Sequence, residues 1–461
     1  MPTAKSDLDF LLKRASESES FERWLDLARS TGWCEHPVRL AGTSHQIDPA
    51  TGEIYSSYST AAEPNGHLLK ACGTRRATVC EPCSTRYRAD AWHLIVAGLR
   101  GGKGVPEDAS THPILFVTLT APSFGPVHSR RERDGSSRRC HPKRRGRCDH
   151  GRSIRCDEIH QPDDARLGEP LCIDCFEYER AVLWNTHATE LWRRTTIGIR
   201  RDLAKAMGIG SSHFAAHARV SYAKVVEYQD RGLVHLHVVI RLDGASGPDE
   251  PPPEALTIER FEAAVVSTCQ RMSVAYPQTR GVAGEARWGD QIDARRVALD
   301  SATPGAVAAY IAKYATKSTD AFGRLDHRLH QSDLASLDVR PHLKRLVTTA
   351  WDLGGRPELE PLKLRHWAHT LGFRGHWLTK SRRYSTTLGA LRSARSEWTA
   401  ERRDPTEGLA EAVAVKDWRY LGRGWDNRGD AWLAHTAAAE AAESRVLARE
   451  ARLAERKHSE G

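Results

Sequence analysis

The run from Leu233 to Leu242 reads Leu-Val-His-Leu-His-Val-Val-Ile-Arg-Leu, and it narrows the fold more than any other stretch of this chain. It is apolar, rich in β-branched residues, and carries two histidines that flank one leucine. That composition predicts a strand, and side chains two residues apart on a strand share a face. His235 and His237 therefore point the same way, close enough to grip one divalent metal. Paired histidines on a half-exposed strand also arise incidentally, so the reading depends on what else the chain supplies.

About seventy residues downstream stands Ala309-Tyr310-Ile311-Ala312-Lys313-Tyr314-Ala315-Thr316-Lys317. It is Ala-rich and free of Gly and Pro from Ala306 on, which predicts a helix. Tyr310 and Tyr314 are four residues apart and so lie one above the other on one face, with Lys313 and Lys317 repeating the spacing beside them. An amphipathic helix with buried tyrosines and solvated lysines would give the same pattern.

Imidazoles and phenols in these positions fit phosphodiester chemistry. A metal held by imidazoles polarises phosphoryl oxygens as a Lewis acid, and a tyrosine hydroxyl can attack phosphorus to form a covalent intermediate. The phenol's ordinary pKa of about 10 makes a neighbouring cation such as Lys313 or Lys317 useful. Two tyrosines on one face allow two consecutive transfers. The segment Val220–Tyr228 also predicts a strand, followed by a turn at Gln229-Asp230-Arg231-Gly232. That hairpin would bring Glu227 beside His235 and His237, and a carboxylate with two imidazoles suits Mg²⁺ or Mn²⁺. Glu227 as a plain surface residue at a strand end is the competing reading. The earlier run Ile114–Thr120 predicts a buried central strand; its end, Thr118 and Thr120, could lie near the metal site, with a purely structural role the simpler reading.

In order along the chain, Phe116-Val117-Thr118-Leu119-Thr120, His235-Leu236-His237 and Tyr310 to Lys317 resemble the three motifs of the His-hydrophobe-His (HUH) endonucleases that initiate rolling-circle replication. The paired tyrosines are similar to those of phage-type initiators. Many plasmid initiators carry an acidic residue where Tyr310 stands, which favours Tyr314 as the primary nucleophile. Cys72–Arg76, Leu183–Asn185, Glu190–Arg194 and Gly372–His376 carry a closer resemblance, over roughly residues 30–440, to the replication initiators of actinobacterial plasmids and integrative elements. The resemblance implies an α+β fold with a central antiparallel sheet and helices on its back. It also implies a nick that leaves the protein on the 5′ end and a free 3′ hydroxyl.

With 461 residues the chain is long enough for two or three domains, and its formal charge of +9 favours an anionic partner such as single-stranded or origin DNA. No apolar stretch approaches the twenty or so residues that span a bilayer, and the N-terminus lacks the apolar core of a signal peptide, so a cytoplasmic protein without membrane contact is expected. The ten cysteines then argue for Zn²⁺ rather than disulfides. Cys34, Cys72, Cys80 and Cys83 make a first tetrahedral zinc set, with His67 as the alternative fourth ligand. Cys148, Cys156, Cys172 and Cys175 make a second, for which Cys140, His150 and His160 are replacements. Cys269 stands alone in a helical pattern as a core cysteine.

The expected organisation is an N-terminal zinc-binding region (1–105), a nuclease domain (106–320) and a helical, basic C-terminal region suited to DNA binding (321–461). An insertion at 126–178 holds the second cysteine group and nine cations in eighteen residues from Arg130 to Arg147, either a phosphate-contacting arm or a solvated loop. Phe373-Arg374-Gly375-His376-Trp377 with Lys380, Arg382, Arg383 and Tyr384 suits a nucleic-acid surface, and equally an aromatic core with a charged rim. No Walker sequence is present, so unwinding would fall to a host helicase and extension to a host polymerase. The leading reading is a strand-specific nicking and rejoining enzyme that starts rolling-circle replication. The alternatives are a relaxase or transposase with the same chemistry, and a non-catalytic, zinc-stabilised DNA-binding protein. Relaxases often carry three histidines and N-terminal tyrosines, unlike the order here.

Overall fold

A computed structural model describes residues 18–297, 303–316, 325, 327–401 and 412–459. The chain is α+β, with antiparallel sheets and helices, and forms two compact units: Met1–Ala89 with Leu391–Gly461, and Asp90–Ala390. Among the described residues no helix is long and apolar enough to cross a membrane.

The Asp90–Ala390 unit is built on a five-stranded antiparallel sheet. Its strands, in spatial order, are Ile292–Arg296, Ile114–Leu119, Val234–Gly244, Ala218–Tyr228 and Leu378–Lys380. The 11-residue strands Ala218–Tyr228 and Val234–Gly244 form the central hairpin, pairing from Ala218↔Gly244 to Tyr228↔Val234. Period-two alternation divides the sheet. Leu236, Val238, Ile240 and Leu242, with Leu115, Val117 and Leu119, belong to the main core. Ala181, Leu183, Ala188, Leu191 and Ile199 of the 29-residue helix Tyr178–Ala206 bury an apolar stripe in the same core, as do Phe261 and Val265 of the helix Ile258–Arg271. Each fully buried aliphatic side chain there contributes about 1.5–3 kcal/mol. Cys269 is 1% exposed within this core. The opposite face carries the histidines.

The other unit is organised on the strand Val38–Ile47, which pairs along its whole length with Val413–Arg423, and also with Ile54–Ser59 and Leu68–Lys70. Trp24 of the helix Ser18–Ser30 is buried, 5.5 Å from the ring of Trp425. The expected boundaries at 105 and 320 do not coincide with these units. Val413–Arg423 joins the N-terminal strands, and Leu378–Lys380 joins the central sheet, because strand pairing connects segments that are remote along the chain. Of the 373–384 stretch, Phe373 and Tyr384 are buried at 2% and 0%, and Trp377 packs against the core, so these rings are aromatic core rather than a stacking surface.

Candidate active site

The hairpin register sets Glu227 opposite His235, and Val225 and Thr118 on either side of His237. Cross-strand partners share a face, so Glu227, His235, His237 and Thr118 lie on one side of the sheet. Glu227 Oε2 is 3.4 Å from His237 Nε2, and the two imidazole centroids are 4.6 Å apart. On the neighbouring strand the Thr118 and Thr120 hydroxyls lie 3.4 Å and 3.1 Å from Nδ1 of His237 and His235. Each hydroxyl engages Nδ1 and leaves Nε2 for the open face, the way outer partners fix the ligand nitrogen of metal-binding histidines. The sequence allows these threonines near the metal site with a structural role as the simpler reading; the strand register discloses which ring each touches. Phe116 stacks on His237 with centroids 6.0 Å apart and planes 8° apart.

Burial, with His237 and the Arg231 charge, pushes His235 down to about 3, which keeps the ring neutral. Arg231 itself is spent on structure: its guanidinium donates to the carbonyls of Ala121 and Pro122 at 2.8 and 2.9 Å, tying the hairpin turn to the neighbouring strand end. Gly232, at φ +74°, completes that turn, and a Cβ there would sit 2.5 Å from Leu346 Cδ1. Asn185 of the long helix clamps the start of the histidine strand. Its Oδ1 accepts from the Val234 N–H at 3.0 Å, while Nδ2 donates to the Gly232 and Leu371 carbonyls, each at 3.0 Å. Sequence reading quoted Asn185 for resemblance alone and gave it no role, since a helix-to-hairpin clamp has no local signature.

The helix Thr303–Thr316 brings Tyr310 to this face. The Tyr310 ring meets His237 edge-on at 5.2 Å and Phe116 at 5.9 Å, and is 43% exposed. Arg295, on the edge strand opposite Phe116, feels the Tyr310 phenol electrostatically, a cation not singled out from the sequence. Tyr314 lies one turn further along the same helix, its side chain outside the described residues. Lys313 is exposed, and Lys317 falls outside the described residues. His235, His237 and Glu227 supply two imidazoles and a carboxylate, a donor set that fits a divalent cation. The trio is more open than the cysteine groups, and is not among those described residues whose ligand atoms all lie within 4.8 Å of one another.

Cys34, Cys72, Cys80 and Cys83 do meet that distance, and could hold a metal such as zinc. Cys34 Sγ accepts from the Cys72 N–H at 3.2 Å and Cys80 Sγ from the Glu35 N–H at 3.4 Å, contacts that favour thiolates. His67 is engaged elsewhere, with Asp426 at 3.1 Å and the Asn65 carbonyl at 3.0 Å. The expected second set does not gather. Cys148, Cys172 and Cys175 come together with His150, whereas Cys156 joins His128, Cys140 and His160. The physical reason is a local bridge pairing Cys156 with His141, which holds Cys156 beside Cys140.

Comparison with known proteins gives a consistent result. The family described as replication initiator protein, pSAM2 (RepSA) matches residues 20–439. A replication initiator protein of Streptomyces ambofaciens is 40% identical over 466 residues, covering 98% of this chain and 96% of its own length. No solved structure gives a significant match.

Proposed function

The chain belongs to the pSAM2 replication initiator family, and from that premise we propose that it starts rolling-circle replication of a plasmid or integrative element by nicking and rejoining one strand of origin DNA. The observation that carries this reading is the Tyr310 ring standing 5.2 Å from His237, on the face shared by His235 and Glu227.

In this proposal a single-stranded segment lies across that face. His235, His237 and Glu227 would hold Mg²⁺ or Mn²⁺, which when bound polarises the phosphoryl oxygens and stabilises charge in the transition state. Tyr314 is the primary nucleophile. Its phenolic oxygen attacks phosphorus, the bond from phosphorus to the 3′ oxygen breaks, and that oxygen takes up the proton the phenol gives up. One ester is exchanged for another, so no nucleotide is consumed. The products are a 5′-phosphotyrosine and a free 3′ hydroxyl, which a host polymerase extends behind a host helicase. Tyr310 performs the second transfer, and attack by a 3′ hydroxyl on the phosphotyrosine reverses the step and rejoins the strand. Lys313, Lys317 and Arg295 favour the phenolate by their charge. Thr118 and Thr120 hold the imidazoles, and Asn185 and Arg231 hold the strand that bears them. Cys34, Cys72, Cys80 and Cys83 bind a structural Zn²⁺.

The test is incubation of the full chain with end-labelled single-stranded origin DNA and Mn²⁺, followed by denaturing electrophoresis and mapping of the linked peptide. Wild type forms a covalent adduct, and Tyr314→Phe or His235→Ala abolishes it. Tyr310→Phe retains the first adduct and loses strand transfer. An adduct from the doubly substituted Tyr310→Phe/Tyr314→Phe chain overturns the nucleophile assignment. Tight DNA binding with no adduct from wild type leaves a non-catalytic zinc-stabilised binder instead.

A further inference from the structure

The insertion at 126–178 has almost no apolar interior. Between Gly125 and Leu171 the only buried hydrophobic side chains are Cys140 and Cys156, and the strands Arg131–Arg133 and Ser136–Arg138 are short and fully exposed. Such a segment cannot hold one conformation by burial alone. What it has instead is two compact ligand clusters. His128, Cys140, Cys156 and His160 present atoms that all lie within 4.8 Å of one another, and so do Cys148, His150, Cys172 and Cys175.

We infer that this arm binds two Zn²⁺ ions, the first in a two-cysteine, two-histidine shell and the second in a three-cysteine, one-histidine shell, and that the two sites brace each other across the chain. The ligand pairs alternate in order: His128 and Cys140 belong to one site, Cys148 and His150 to the other, Cys156 and His160 return to the first, and Cys172 and Cys175 to the second. Each ion therefore closes a loop that contains ligands of the other. Four protein ligands of these types fill a tetrahedral zinc shell and leave no open position, as structural sites require.

The surroundings of the first cluster are those of a ligand set. His160 turns Nε2 toward His128 Nδ1 at 3.1 Å and Cys156 Sγ at 3.5 Å, while its Nδ1 is held by Asp164 at 2.7 Å. A carboxylate on the far nitrogen of a ligating imidazole fixes its tautomer and raises its basicity. Arg166 engages both Asp164 and Glu158, so these carboxylates are neutralised by a cation rather than gathered to bind one. The Ser129 N–H donates to Cys140 Sγ at 3.2 Å. In the second cluster His150 Nδ1 lies 3.2 Å from Cys175 Sγ. The first site also reaches the candidate active site: His128, Ser129 and Arg130 line a cavity of about 600 Å³ together with Thr120, whose hydroxyl holds His235. Metal at His128 thus fixes one wall of the space beside the histidine strand.

This inference stands apart from the nicking reading, and its readout is metal content and shell rather than cleavage. Zinc is measured by plasma mass spectrometry on the full chain carrying His235→Ala/His237→Ala, so that the catalytic trio takes up none, and the average zinc shell is read by X-ray absorption. The expected result is three zinc ions per chain with nine sulfur and three nitrogen ligands between them, counting the four-cysteine site. Cys140→Ser/Cys156→Ser removes at least one ion, and the sulfur share of what remains rises. Two ions per chain in an all-sulfur shell, or three ions with no loss in the Cys140→Ser/Cys156→Ser chain, overturns the assignment. The wild-type arm sequence alone decides between these shells, so misfolding of the variant does not shield the inference.

Discussion

His342 is fully buried with both ring nitrogens used: Nε2 donates to the Arg231 carbonyl at 3.0 Å, and Nδ1 accepts from the Tyr178 hydroxyl at 2.8 Å. Those are the roles of the neutral ring, with its one proton on Nε2. Burial, with a smaller push from Arg340, brings its pKa down to about 4. The unfolded chain binds this proton at about 6.5, so between those values the unfolded state carries more protons and stability rises with pH. The contribution is intact above about 6.5, erodes as the solution is acidified, and amounts to about 3 kcal/mol lost by pH 4. Because Arg231 also ties the histidine hairpin to the strand end at Ala121, protonating this one ring loosens the candidate site as well as the core. Urea unfolding of wild type and His342→Gln between pH 7 and pH 4 measures the effect. The variant is less stable at pH 7 but loses about 2–3 kcal/mol less on acidification. Parallel losses in the two chains would assign the acid sensitivity to other groups.

At the scale of elements, the site is a hairpin whose register is imposed from behind by one helix. Asn185 is 0% exposed and makes three hydrogen bonds, two to the turn and strand start of the hairpin and one to Leu371. Asn185→Ala leaves the Val234 N–H and two carbonyls unpartnered in the interior, at a cost of about 2–4 kcal/mol, since a buried unsatisfied group costs about 1–3 kcal/mol and neighbours relax only in part. The same change lets the Val234–Gly244 strand drift, so adduct formation falls more steeply than the folded fraction. Thermal unfolding and a single-turnover nicking assay on one preparation separate the two effects, and activity that tracks the folded fraction alone would reduce Asn185 to a stability residue. The hairpin itself was legible: the apolar runs and the Gly-containing turn marked both strands, and the two-residue spacing put His235 and His237 on one face. Asn185 and Arg295 were not, and for Thr118 and Thr120 the partner imidazoles were not, because each acts across elements and no local period encodes which helix or strand lies opposite. The cysteine groups divide in the same way. Cys34, Cys72, Cys80 and Cys83 were grouped from an ordered knuckle, but the interleaved arm misled, because four ligands adjacent in order belong to two different centres.

For the whole molecule, the α+β class was implied by the family resemblance, whereas the two-unit division was not. The strand Val413–Arg423 is largely exposed and carries Lys416, Arg419 and Arg423, so nothing in its own composition announces a partner nearly four hundred residues earlier. Net charge was informative at this scale, because +9 has to be placed somewhere. Part of it sits on the insertion, where the hairpin Arg131–Arg133 and Ser136–Arg138 projects exposed side chains. Some of these cations are engaged within the arm: Arg131 donates to the Cys140 carbonyl at 3.2 Å, and Arg139 lies 3.8 Å from Asp157. Exposed pairs of that kind contribute little and exchange readily for phosphate. An arm that tracks a single strand therefore releases counterions, and log K falls with log salt by about 0.7 for each phosphate neutralised. Arg133→Ala/Arg138→Ala/Arg139→Ala removes three such groups without touching a zinc ligand or the core. Fluorescence anisotropy on single-stranded origin DNA across a KCl series then gives a slope shallower by about 2, with the affinity loss largest at low salt. A slope equal to that of wild type would mean that the arm's cations face solvent and that the strand is held elsewhere on the molecule.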